Sequence, residues 1–368
     1  MTILTRHIQH LKETVDNIVI VLTGQPRATS LPQWKSMVSD YYRSAVETYN
    51  DDTGEWTRNT GNTPNVDIIL VLNEKDTVDK YFLEDPHLAG LDSDYSIPKV
   101  PSIAKSDLRY RLFNERFDFK INKEKWEKYQ SECWGWADSI NFVYWDHTEA
   151  TRRVDKIIGK QCNFTSAGEA QFWHFNIAYS QHTDIFDKLT KNSVAVRQRY
   201  DSVPCKDLPI WDKIAKLINY KFCDPETGYI VPAGTHNAMD KSPLALMGQF
   251  TILRGKIHCS DLISMFDGPG AVLFGKHFMD WCFDGMFTDK KWNETDPSEW
   301  YAAETLIPKF CQEYNYSIDQ IFHRQADRLF RYLEIPMYDK WREHWYDDWT
   351  PELVQEIQQY FLNEGDPK

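Results

Sequence analysis

The stretch NIVIVLTGQPR, residues 17–27, decides how this chain folds. Ile18 to Leu22 are five apolar residues in a row, and the run stops at once in Thr23-Gly24-Gln25-Pro26-Arg27. A short unbroken apolar run bounded by turn residues reads as a strand covered on both faces, the kind found in a parallel sheet. Gly24 and Pro26 then turn the chain, and Arg27 adds a fixed positive charge where a buried strand has just ended.

The same signal recurs downstream. Asp67-Ile68-Ile69-Leu70-Val71-Leu72-Asn73 is a second continuous run, Phe142-Val143-Tyr144-Trp145-Asp146 a third, and Ser193-Val194-Ala195-Val196 opens a fourth. Between them the spacing predicts a helix from Gln33 toward Val46, a loop over 50–65, and a helix from Glu169 to Leu189. That helix carries Phe172, Phe175, Ile177, Tyr179, Ile185 and Phe186 on its apolar side. Strands alternating with helices predict an α/β fold whose sheet is covered by helices on both faces. Farther on, Gln249-Phe250-Thr251-Ile252-Leu253 is followed by an expected helix with Asp261, Leu262 and Phe266. From about Tyr316 helices are expected: one over Ser317–Tyr332, and one opened by Thr350-Pro351-Glu352 and stopped by Gly365.

Composition bounds the function. With 368 residues, 42% hydrophobic and 14% aromatic, the chain carries enough apolar mass for a large core. No apolar run approaches the ~20 residues of a membrane span, and the polar opening MTILTRHIQHLKETVD is unlike a secretory signal. The 7 cysteines are dispersed, without a C-x-x-C pair or zinc spacing. Such a set reads as reduced thiols, so a cytoplasmic setting is expected. A net charge of −13 argues against nucleic acid as a partner of the whole surface. Over residues 101–220, however, Lys and Arg slightly outnumber Asp and Glu, which leaves room for one basic face.

Because open α/β sheets bind ligands outside the carboxyl ends of their strands, the residues just past each run are the first candidates. At Thr23-Gly24-Gln25-Pro26-Arg27, Gly24 lets a backbone approach a phosphate and Arg27 can pair with a diphosphate; an ordinary tight turn with a surface Arg fits as well. At Arg197-Gln198-Arg199-Tyr200-Asp201, strand alternation places Arg197, Arg199 and Asp201 on one face. Two guanidinium groups and a carboxylate suit a phosphorylated ligand with Mg²⁺ or Mn²⁺ on Asp201; the alternative is an ion-pair ladder on an exposed strand. Asp92-Ser93-Asp94 has no strand before it and reads as a loop, and His174 and His182 read as ordinary helix residues. No Walker A loop, G-x-S-x-G elbow, H-E-x-x-H or kinase set is present.

Taken together, the strand ending in GQPR, the helix with Gln171 and Phe172, the strand ending in R-x-R-Y-D, the Q-F pair at Gln249 and Phe250, and the E-x-L-I of Glu304 to Ile307 resemble a group of virus- and bacteriophage-encoded glycosyltransferases of the GT-A type. The resemblance implies a GT-A like, Rossmann-type catalytic domain over 1–315, an α/β unit with a mixed sheet flanked by helices, and a C-terminal helical extension over 316–368. It assigns Thr23, Gly24, Gln25, Arg27, Arg197, Arg199 and Gln249 to the nucleotide–sugar. Asp201 falls to metal and catalysis, and Glu304, the late acidic residue of the sugar pocket, to catalysis as base or electrostatic stabiliser. Gly248 stands where relatives tend to carry Asp, and Asp201 stands in place of a full D-x-D. The implied donor is a UDP-sugar, with a divalent cation as cofactor. The acceptor is a hydroxyl: a hydroxymethylated cytosine in phage DNA, a surface glycan or a small molecule. Trp134, Trp136 and Trp145 are compatible with holding a flipped base; they read equally as core and interface aromatics, which the net charge of −13 favours. A non-catalytic binding protein on the same fold is the competing class.

Overall fold

The computed structural model describes residues 11–24, 34–73, 77–79, 118–120, 123–145, 167–200, 202–204, 209–219, 244–247, 250–253, 256–259, 263–282, 306–307, 310–311, 313–314, 317–320 and 328–329. Among these, seven strands form the central sheet: β1 (Asn17–Thr23), β2 (Asn65–Asn73), β3 (Ser139–Trp145), β4 (Val194–Arg199), β5 (Leu244–Met247), β6 (Ile263–Asp267) and β7 (Ser317–Gln320). Their spatial order is β7-β5-β6-β4-β1-β2-β3. β3, β2, β1 and β4 run parallel, β6 is antiparallel to both its neighbours, and β7 is again parallel to β5. The sheet is therefore mixed and mostly parallel, with one reversed strand.

Alternation along the parallel strands makes two cores. Ile18, Ile20, Leu22, Ile68, Leu70, Val194 and Val196 face one side, where they meet Trp34, Trp126 and Trp134. Val19, Val21, Ile69, Val71, Val143 and Ala195 face the other, against Phe175, Phe274 and Phe278. The first layer is supplied by α1 (Lys123–Trp134), α3 (Ile210–Asn219) and the helical turns Lys35–Ser39 and Asp40–Arg43. The second is supplied by α2 (Ala167–Gln181) and α4 (Gly268–Trp281). A strand with helices on both faces has no solvent side, which is why β1 can be apolar at every position from Ile18 to Leu22. Among the described residues no helix is long and apolar enough to cross a membrane.

Four expectations are corrected. The loop over 50–65 contains a small hairpin, Glu47–Asn50 paired with Glu55–Arg58. The helix expected around Asp261 to Phe266 gives way to β6, whose Ile263, Ser264, Met265 and Phe266 are all buried between β4 and β5. The helix expected over Ser317–Tyr332 opens instead as β7, held by parallel pairing to β5. In both places a pairing distant in sequence outweighs local spacing. The Glu169–Leu189 helix ends early, at Gln181, and a separate turn Thr183–Phe186 follows. The terminal helix expected from Thr350 lies outside the described residues.

Candidate functional site

From β1 the chain builds outward through β2 to β3, then crosses back to lay β4 on the other side of β1. The strand order thus reverses between β1 and β4. In an open α/β sheet a crevice forms at the carboxyl ends of the two strands that flank such a reversal, because their connections leave in opposite directions.

The register of β1 on β4 sets what lines that crevice. Val21 lies opposite Arg197, Leu22 opposite Gln198 and Thr23 opposite Arg199. The ladder continues for one more bond, from Tyr200 N–H to the carbonyl of Thr23 at 3.0 Å. The turn residue Gly24 and the Arg-x-Arg strand end, far apart in sequence, therefore stand side by side. Arg197 and Arg199 share the face of Ala195, as alternation requires.

Burial divides these residues into two groups. Arg199 is half-buried and Gly24 keeps some exposure, whereas Thr23 and Arg197 are both 0% exposed. Arg197, between Val21 of β1 and Ser264 of β6, is a cation in the floor of the crevice and not a rung of an exposed ladder. The floor is tied together by side chains. Thr23 Oγ1 donates to the Gln198 carbonyl at 3.4 Å, Gln198 Nε2 donates to the Ser202 carbonyl at 2.9 Å, and Tyr42 donates its hydroxyl to Gln198 Oε1. Ser202 Oγ donates back to the Arg199 carbonyl at 2.9 Å, and Trp34 Nε1 to that of Tyr200 at 2.8 Å.

Gly24 has φ +86°, in the left-handed region that a Cβ disfavours, so the sharp exit from β1 calls for glycine. Its N–H does not point to open space: it donates to Nδ1 of His174 on α2 at 3.0 Å. His174, expected to be an ordinary helix residue, is thus the support of this turn. A lone His on an apolar helix gives little notice of such a role. The one hint is its place beside Phe175, on the side of α2 that meets the sheet.

Gln25, Arg27, Asp201, Gln249 and Glu304 lie outside the described residues, as do Gly248 and the Asp92-Ser93-Asp94 loop. Of the sites expected from sequence, then, the structure brings together Thr23, Gly24, Arg197 and Arg199. Trp134, Trp136 and Trp145, read from sequence either as a platform for a base or as core aromatics, are 0%, 9% and 8% exposed and belong to the two cores. Among the described residues no group of three or more His, Cys, Asp and Glu could hold a metal ion. Cys133, Cys282 and Cys311 are buried and form no disulfide; burial pushes Cys133 up to about 11 and Cys311 up to about 12. Such thiols are poor nucleophiles at neutral pH.

No family model and no curated protein matches the chain. Among solved structures, the apo form of mouse xyloside xylosyltransferase 1 is similar with a TM-score of 0.31 and 6% identity, over 83% of this chain and 84% of that one. At that TM-score the likeness carries no argument about chemistry, and the strand order and crevice stand on their own.

Proposed function

We propose that the crevice at the carboxyl ends of β1 and β4 binds a nucleotide diphosphate sugar, a UDP-sugar first among them, and that the chain transfers the sugar to a hydroxyl as a GT-A type glycosyltransferase. The observation that carries this reading is the register that sets Thr23 opposite Arg199 at the strand-order reversal. The mixed, Rossmann-type sheet agrees with the fold that the sequence resemblance implies.

The described residues supply an electrostatic mechanism. Arg199 can reach a diphosphate with a planar fork of N–H donors, and Gly24 beside it presents backbone without a side chain. As the sugar departs, negative charge grows on the diphosphate. A guanidinium already in place stabilises that charge more in the transition state than in the ground state. Arg197 lies two residues back along β4, buried between Val21 and Ser264. The resemblance adds Gln25, Arg27 and Gln249 to the nucleotide side and Glu304 to the sugar pocket. Asp201, next in sequence after Tyr200, is the proposed ligand of Mg²⁺ or Mn²⁺. The described residues do not form a cation site, and no step is assigned to the ion.

On the acceptor side only a hydroxyl is proposed. A flipped hydroxymethylcytosine needs exposed aromatic surface, and Trp134, Trp136 and Trp145, the tryptophans compatible with that role, are core residues. A glycan or a small molecule meets the same chemical requirement without them.

The test is a panel of UDP-, GDP- and CMP-sugars with Mn²⁺, read by melting temperature and by slow donor hydrolysis. Stabilisation by one donor class together with hydrolysis supports the enzyme; stabilisation without turnover leaves a binding protein on this fold. A protein that no donor stabilises sinks the reading.

A further inference from the structure

The peptide unit joining Thr23 to Gly24 is gripped from both sides. Its carbonyl, on Thr23, accepts the Tyr200 N–H at 3.0 Å, and its N–H, on Gly24, donates to His174 Nδ1 at 3.0 Å. A peptide is planar and its C–N bond does not rotate, so two bonds on opposite edges fix the orientation of the whole unit. Tyr200 is the residue after Arg199, and His174 belongs to α2. One rigid plane thus locks the exit of β1 to the end of β4 and to a helix.

His174 is suited to hold its side of that plane. It is 4% exposed, and Trp145 at the end of β3 meets its ring edge-on, with centroids 4.5 Å apart and planes at 71°. α2 is itself seated by Phe175 and Ala178 against the sheet. On its other side it is seated against α4, where Asn176 Nδ2 donates to the Gly275 carbonyl at 2.7 Å. A neutral imidazole that accepts at Nδ1 carries its proton on Nε2, so the bond to Gly24 specifies one tautomer. Glycine at positive φ has wide backbone freedom, and an acceptor at this spot removes it.

We propose that His174 is a positioning residue of the crevice: by accepting from Gly24 it fixes where the chain leaves β1 beside Arg199, and so sets the affinity for a diphosphate donor without touching it. This rests on the donor-binding reading above.

Two substitutions separate the role from simple core packing. His174→Asn places an amide oxygen near the position of Nδ1 and keeps the acceptor, whereas His174→Leu fills the space without one. The readouts are the tautomer of His174 from ¹⁵N imidazole spectra, hydrogen exchange of the Gly24 amide, and affinity and hydrolysis rate with UDP-glucose. The wild type should show the Nε2–H tautomer. His174→Leu should speed Gly24 exchange and weaken UDP-glucose each by about tenfold, the loss of one net hydrogen bond. The hydrolysis rate at saturation should stay within about twofold, because the bond acts on binding. His174→Asn should recover most of both losses. An Nδ1–H tautomer in the wild type overturns the proposal even if the Leu variant fails to fold. So does a Leu variant with unchanged Gly24 exchange, or an Asn variant no better than Leu. If Gly24 exchange responds as stated but UDP-glucose does not bind the wild type, the donor arm fails and the fixing of the turn by His174 stands.

Discussion

At the amino ends of β1 and β4, Asp16 accepts from the Asn17 N–H at 2.8 Å, from Ser193 Oγ at 2.6 Å and from Thr190 Oγ1 at 2.7 Å. The Ser193 carbonyl in turn accepts the N–H of Gly268 at 2.9 Å, where α4 begins. At the carboxyl ends of the same strands, Gly24 turns away at positive φ with His174 beneath it, and Arg199 stays partly accessible. Both ends carry a glycine and polar side chains. At one end they bond to each other and close the fold; at the other a half-buried arginine stands beside the glycine turn, over a buried floor. The lesson is that residue type does not mark a site: position relative to the strand-order reversal does.

That contrast can be broken at either end. The largest effect is expected at Gly268, where an added Cβ would lie 2.1 Å from the Thr190 carbonyl oxygen, a backbone atom that cannot step aside. Gly268→Ala should cost about 3 kcal/mol in urea unfolding, while the protein that remains folded keeps its donor affinity. At the opposite end Arg199→Ala should do the reverse. Donor binding should fall by about 2 kcal/mol, the range for a hydrogen bond to a charged group, with a smaller change in unfolding free energy than Gly268→Ala produces. Calorimetric titration beside a urea curve on each variant checks both, and a result in which the two substitutions trade places would refute the division.

Smaller effects sharpen it. A Cβ on Gly275 would meet the Tyr179 ring at 2.8 Å, so Gly275→Ala should shift α4 on α2 and cost about 1–2 kcal/mol. Since α2 carries His174, this variant should also weaken donor binding slightly, unlike Gly268→Ala. The smallest effect is the pH response of Asp16. Burial raises its pKa, but hydrogen bonds from Ser193, Thr190 and the Asn17 backbone outweigh burial and bring it below 3.8. A carboxyl lowered on folding stabilises the native state above its unfolded value and loses that contribution as pH falls through its lower folded value. The stability difference between wild type and Asp16→Asn should therefore be constant above about pH 5 and shrink below about pH 4. A difference that grows on acidification would mean the hydrogen bonds do not control this group.

Much of this frame is legible in the sequence alone. Ile18 to Leu22, Ile68 to Leu72 and Val194 to Val196 announced buried parallel strands, because a strand covered on both faces has no polar side to show. The Arg-x-Arg end and the Gly24 turn were visible as oddities at strand ends. β6 was not, since five residues with Ser264 among them carry too little pattern to separate a strand from a helix. Nor was β7: Ile318, Ile321 and Phe322 sit at helical spacing, and only pairing with β5 makes the start of that segment extended. The tryptophans leave two readings open for a related reason, because aromatic residues suit a core as well as a ligand platform and sequence alone does not decide between them. His174 stayed hidden because its partner is a backbone N–H, which has no signature in the sequence.

The account is tested most directly by mapping where a donor sits. Hydrogen–deuterium exchange would be compared with and without the UDP-sugar that raises the melting temperature most. Protection is predicted in peptides that contain Gly24 and in those that contain Arg199 and Tyr200, with Asp16 and Thr190 to Ser193 at the amino ends unchanged. Protection confined to the amino ends, or to segments away from β1 and β4, would contradict it.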